Sequence, residues 1–299
     1  MGRDLVVVVD SGELARRLEP RDDVVVREER NEDDGPGPGD PTGTATYRAA
    51  DGPFMSYERH VSWEPSGPDS YTLTQWIRFW PAIPVFAPLW HWFIRQGLRD
   101  PKPPNWRPFW ALPNRLSPRQ STVLASMALF HVVGGMLYAF LTNVLTFAAA
   151  DLGDGSAGEQ SVVLAVSRVG VVLTIATMAF ADRIGRRRVA VGAAGAAVAF
   201  TLASALAPGL VVLAALQTVS RNLAIAAMLA ADTESVEELP AGSRAAAQGL
   251  GALSYGLGAG VVVLALPLAD LGSSGWRLVF AASVLCVPLV WIAAKHLPE

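Results

Sequence analysis

Between Thr122 and His296 the uncharged residues are gathered into runs near twenty residues long, separated by short polar or glycine-containing turns. A helix of that length crosses a hydrocarbon layer of about 30 Å, whereas a globular core has no use for several such runs in succession. The pattern predicts six membrane spans, at 122–148, 161–181, 189–207, 209–231, 245–268 and 276–296. The overall hydrophobic fraction, 51%, is only slightly high for a globular protein, so the signal lies in how the apolar residues are distributed.

The front of the chain has another character. Residues 1–70 carry 8 Lys+Arg against 16 Asp+Glu, while residues 71–299 carry 16 against 11. This predicts an all-α membrane bundle behind a small acidic α+β module at 1–79. The apolar run Leu5–Val9 reads as a buried strand, Ser11 to Leu18 as a short capped helix, and Val24–Val26 as a second strand. Glu28 to Thr44 is acidic and rich in Gly and Pro, which predicts a disordered linker. Asp51-Gly52 is a turn signal, and Tyr57–Glu64 and Tyr71–Phe79 are candidate strands. The first ten residues hold too short an apolar core for a signal peptide.

Residues 80–119 form a Trp/Pro-rich segment and a basic linker. Pro81, Pro84 and Pro88 break the uncharged stretch after Arg78, and Trp80, Trp90 and Trp92 favour the headgroup level, so an interfacial anchor is expected there instead of a span. Arg95 to Arg119 holds six basic residues, a composition that suits an anionic leaflet or an ordinary solvated linker equally.

Clustered positive charge resists translocation, so the run Ala181-Asp182-Arg183-Ile184-Gly185-Arg186-Arg187-Arg188 marks its turn as cytoplasmic. With residues 1–119 inside, the inner loops also take Arg244 and Lys295, and the outer loops hold Arg277 alone. The expectation is a multi-pass protein of the cell membrane with both termini in the cytoplasm.

The same run resembles the loop between the second and third helices of the major facilitator superfamily (MFS), whose pattern is G-x-L-A-D-R-x-G-R-R. The leading glycine falls here on Met178 and the leucine on Phe180. Glu237-Glu238-Leu239-Pro240, Arg244 and Gly275-Trp276-Arg277 are similar to further features of that superfamily, and the resemblance covers about 120–299. It implies secondary transport by alternating access, with this chain supplying the N-terminal six-helix half of a twelve-helix unit. The second half would come from a continuation of the chain, a separate subunit or a homodimer. The resemblance also implies that Asp182, Arg183, Gly185, Arg186 and Arg187 act as a gating motif, bound to carboxylates such as Asp232 or Glu234. The alternative expectation is a six-helix scaffold that transports nothing and anchors the cytoplasmic module for regulation or partner binding.

Two arginines fall inside predicted spans, Arg168 and Arg221, and a buried cation in a membrane is a functional candidate by default. Gln217 lies one turn before Arg221. Tyr138 shares a face of the first span with His131, Gly135 and Thr142. Arg221, Gln217, Tyr138 and Arg168 are therefore the candidate substrate path, and unpaired arginines point to an anionic or polar small solute. His131 is the one span residue that titrates near neutrality, which makes it the candidate proton carrier. Ala252, Gly256 and Gly260, spaced by four, predict a helix-packing strip. No metal-ligand cluster, phosphate-cradling loop or nucleophile motif is present, so neither catalysis, a cofactor nor a nucleic-acid partner is expected.

Overall fold

The computed structural model describes residues 5–31, 41–99 and 107–297, and the side chain of Asp182 lies outside that description. The chain divides into two units, Met1–Thr122 and Val123–Glu299.

In the first unit, β1 (Leu5–Asp10), β2 (Arg27–Arg30), β3 (Gly43–Asp51), β4 (Phe54–Gly67) and β5 (Ser70–Pro81) form one antiparallel sheet in the order β1-β5-β4-β3-β2. The two candidate strands lie inside β4 and β5, paired in the register Val61 to Gln75 and Trp63 to Leu73. Gly52, at φ 147°, makes the β3–β4 turn, where a side chain would be strained. Helix α1 (Ser11–Leu18) starts on Asp10, whose Oδ1 accepts from the Glu13 amide at 2.7 Å. It buries Leu14 and Leu18 in a core with Val9, Tyr47, Val61, Trp63 and Leu73. A second core gathers Val25, Val26, Phe54 and Tyr57 under α2 (Ala87–Leu98), which contributes Ile94 and Leu98.

Three local expectations change. The valine run of β1 lies on an edge strand that leaves Val6 and Val8 exposed, because only one face of the sheet is covered there. Val24–Val26 is not a strand: Asp23 Oδ1 accepts from the amides of both Val25 (2.8 Å) and Val26 (2.9 Å) and bends the chain, and the strand begins at Arg27. The expected linker loses both its ends, Glu28–Arg30 to β2 and Gly43–Thr44 to β3, while residues 32–40 lie outside the described residues.

The second unit takes up most of α3 (Pro118–Leu152), followed by α4 (Ala157–Val169), α5 (Val171–Ile184), α6 (Arg186–Ser204), α7 (Leu210–Glu238), α8 (Arg244–Val263), α9 (Trp276–Ala281) and α10 (Cys286–His296). Among the described residues five stretches are long and apolar enough to cross a membrane: 118–152, 157–181, 210–238, 241–270 and 276–296. The stretch expected to be the third span falls mostly in α6, a helix that opens on three arginines and is rich in Ala and Gly, and it is not among the five. The most apolar window of α3 is 89% buried, against 22% for α4–α5 and for the 241–270 stretch. Helix α3 is therefore the core of the second unit, with the other helices packed around it. They turn Val166, Val172, Ile175, Leu253, Leu257 and Leu264 outward, an apolar surface that suits lipid better than water.

Small residues bring the helices together. A Cβ on Gly258 would collide with the Val132 carbonyl, and one on Gly135 with the Tyr255 carbonyl, so α3 and α8 touch backbone to backbone. The expected strip at Gly256 and Gly260 faces outward, with nothing within 4 Å of an added Cβ. The spacing was a sound packing signal, but the face of α8 that meets α3 carries Gly251, Ser254 and Gly258.

Candidate functional site

Helix α7 carries the polar groups of the second unit, and its register decides what each one meets. Arg221 and Asp232 are eleven residues apart, three helical turns, and so share a face. Both turn to α3, where His131 and Tyr138 are seven residues apart.

Arg221 is 4% exposed. Its guanidinium carbon stands 3.6 Å from the centre of the Tyr138 ring, and Nη1 reaches Ser167 Oγ of α4 at 3.4 Å. Tyr255 of α8 stands 6.2 Å from Tyr138, ring to ring. The cation is thus held by an aromatic face and a hydroxyl, and no carboxylate approaches it among the described residues. A guanidinium in a dry site presents a planar fork that matches a carboxylate or phosphate.

The second expected span is interrupted beside this group. Gly170, at ψ −2°, separates α4 from α5, and a Cβ there would strike the side chains of Asn222 and Thr218 on α7. Asn222 Nδ2 donates to the Ser167 carbonyl at 3.2 Å, and Thr174 Oγ1 donates to the Asn222 carbonyl at 3.0 Å. Backbone irregularity at membrane depth occurs where such groups re-satisfy it.

Of the four expected path residues, the structure brings together Arg221 and Tyr138. Gln217 is fully buried and tied to α6, donating to Ser204 Oγ at 2.9 Å. It belongs to the α6–α7 seam with Thr201 and Ser220, whose hydroxyls are 2.5 Å apart. Arg168 is exposed on α4, and its side chain makes no hydrogen bond or ion pair among the described residues. Ser167, Tyr255 and Asn222 were not foreseen. Ser167 stood beside a flagged arginine and Asn222 beside another, which is the only signal the sequence offered.

His131 is 8% exposed, its Nδ1 3.0 Å from the Met127 carbonyl and its Nε2 3.4 Å from Asp232 Oδ1. A carbonyl only accepts, so Nδ1 bears a hydrogen and Nε2 faces the carboxylate; the contact is attractive when one more proton lies between them. Asp232 falls one residue past the expected fourth span at 209–231, but α7 runs on to Glu238 and holds it within the helix.

Gly185 joins α5 to α6 at φ 98°, a backbone that disfavours any side chain. Arg186 is ion-paired with Glu237, and Arg187 Nη2 donates to the Ala294 carbonyl at 3.1 Å. Arg186, Arg187, Arg188, Glu234, Glu237 and Glu238 line a cleft of about 550 Å³. Arg183 is exposed, and the side chain of Asp182 lies outside the described residues. Arg186 therefore meets a carboxylate at the end of α7, with Glu234 and Glu238 lining the same cleft, while Asp232, expected among them, is taken by His131.

No protein-family model, curated protein or solved structure matches the chain.

Proposed function

We propose that the chain is a membrane transporter of the major facilitator type, a six-helix half in which α6 serves as the third span. It would move a small anionic solute by alternating access, joined by a second six-helix half. The observation that carries this reading is Arg221: a cation buried among helices apolar enough to span a bilayer, lying on Tyr138 and without a carboxylate partner among the described residues. Membranes tolerate such a group where it faces water, a partner or a ligand. The His131–Asp232 pair supplies a proton site on the same α3–α7 interface, and the Arg186–Glu237 cluster supplies a breakable latch. The outward stripe of Gly256 and Gly260 offers the second half a flat face. In this reading the protein lies in the cell membrane with both termini in the cytoplasm, the side to which the Arg183–Arg188 turn belongs.

The test is counterflow of labelled small carboxylates and phosphates into proteoliposomes. Saturable flux that Arg221→Ala abolishes is expected, and flux unchanged by that substitution removes the anion reading. The scaffold alternative draws support from the first unit, which has its own sheet and two cores. It predicts no solute flux at all.

A further inference from the structure

We infer that the first unit carries a lipid-docking face, formed by Val85, Leu89, Trp92 and Phe109, which lies in the headgroup region of the leaflet that α3 enters. The inference rests on α3 being a membrane span.

Leu89 and Trp92 are one turn apart on α2 and are 65% and 63% exposed; Phe109 is 87% exposed. They are continuous through Phe93, whose ring centre is 5.0 Å from that of Trp92 and 5.9 Å from that of Phe109. Behind this layer Ile94 and Leu98 pin α2 to the second core, so the aromatics stand on a fixed element. Val85, four residues before Leu89 and 44% exposed, adds an apolar side chain from a strained position. It is the only non-glycine residue with positive φ (67°) among the described residues, and the Phe86 amide donates to the Pro84 carbonyl at 2.8 Å across it. A β-branched residue at the centre of such a γ-turn is held there against its preference. Here the turn directs an apolar side chain outward.

Two observations choose a bilayer as the occupant over a protein groove. The first is continuity with the membrane helix. Thr122, at the start of the apolar part of α3, donates from Oγ1 to the Ala82 carbonyl at 3.2 Å. Arg115 Nε donates to the Asp23 carbonyl at 2.7 Å, and its guanidinium pairs with Asp22. The start of α3, within the first unit, is therefore fastened to the strand end that leads through Trp80 and Ala82 into the patch. The second is charge. From Arg78 to Arg119 there are seven basic residues and a single acid, Asp100, whereas residues 1–70 hold twice as many acids as bases. Indole rings flanked by basic side chains suit an anionic interface, and an apolar helix face of this kind lies in its plane.

The experiment uses the full chain in liposomes containing anionic lipid. Single nitroxide labels are placed by W92C, L89C, F147C and S66C in a Cys286→Ser background, and each label's accessibility to oxygen and to a water-soluble nickel chelate is measured. Phe147 marks the exposed side of α3 and Ser66 an exposed sheet end. W92C and L89C are expected to shift toward oxygen, as F147C does, while S66C stays accessible to nickel; Arg107→Glu is expected to move W92C back toward water. If W92C and L89C both read as water while F147C reads as lipid, the docking face is overturned and the membrane reading stands. If F147C also reads as water, the membrane reading fails first. Dipolar broadening between W92C labels on different molecules identifies a second copy as the occupant and overturns the proposal. Two labelled positions guard against one variant that fails to fold.

Discussion

Arg59 and Arg221 are buried to nearly the same depth, 3% and 4% exposed, and are treated in opposite ways. Arg59, in the first unit, is saturated. Its Nε and Nη2 donate to both oxygens of Glu28 at 2.6–3.1 Å, Nη1 and Nη2 donate to the carbonyls of Arg17 and Glu19, and its guanidinium carbon lies 4.0 Å from the Tyr47 ring centre. Glu28 in turn accepts from the Tyr57 hydroxyl at 2.5 Å and the Arg21 amide at 2.9 Å. Burial works against the charge of Arg59, but the Glu28 carboxylate overrides it and holds Arg59 above its ordinary value. Arg221 has an aromatic face and one long hydroxyl contact. A buried cation that is fully matched is a structural rivet; one left with spare donors in an apolar bundle is what the proposed transport function would use to hold an anion.

The sharpest break of that comparison is to replace both arginines by methionine. Arg59→Met strands Glu28 in the core and is expected to cost the first unit about 3–5 kcal/mol, read by amide exchange across β3–β5, while adding Glu28→Leu restores most of the loss. A mild effect of the single change would mean that the pair is not the rivet described.

Next in size is the α3–α8 seam. Gly258→Leu must push two backbones apart and is expected to cost about 1–3 kcal/mol, whereas Gly256→Leu, on the open side, leaves stability unchanged. The buried thiol of Cys286, the one cysteine in the chain, reports both, since a thiol-reactive dye labels it only as the bundle opens.

Smaller is the cap of α4, where Ser156 Oγ accepts from the Glu159 amide at 3.2 Å. Ser156→Ala is expected to cost about 1 kcal/mol. The same serine holds the Asp154 carboxyl below its usual range. That small contribution is present above an ordinary aspartate value and fades as the pH falls through the folded one.

For Tyr57, burial pushes the phenol well above its usual value, and Glu28 adds to it. The stability this gives is complete below an unfolded tyrosine value of about 10 and is lost as the pH rises through the folded one. Absorbance at the tyrosinate band is expected to show a late-titrating component that Tyr57→Phe diminishes.

The smallest expected change in stability is that of Arg221→Met, within about 1 kcal/mol of the parent or above it, because no buried carboxylate is left behind. Flux is expected to vanish with it. A loss of stability as large as that of Arg59→Met would make Arg221 a second rivet and end the comparison.

Much of the chain could be read in advance where the signal is periodic or steric. Runs of about twenty apolar residues do form helices, with five stretches among the described residues long and apolar enough to cross a membrane, Asp51-Gly52 does turn, and the alternation around Leu73 does lie in a strand. Arg221 and Tyr138 were both singled out, and they meet. What escaped is what depends on rotation and on partners distant in sequence. A helix apolar all round does not announce which face its neighbour will take, so Gly256 and Gly260 were preferred to Gly251 and Gly258. An acidic, glycine-rich run looks solvated, and only an arginine thirty-one residues away turns Glu28 into a core residue.

Gly170 marks a break in the 157–181 stretch that only a glycine fits, because the Asn222 and Thr218 side chains occupy the room a Cβ would need. Asn222 bridges the break, donating to the Ser167 carbonyl on one side and accepting from Thr174 on the other. A larger residue at 170 would therefore pry both halves of that stretch off the helix that bears Arg221, and the cation would lose Ser167 with them.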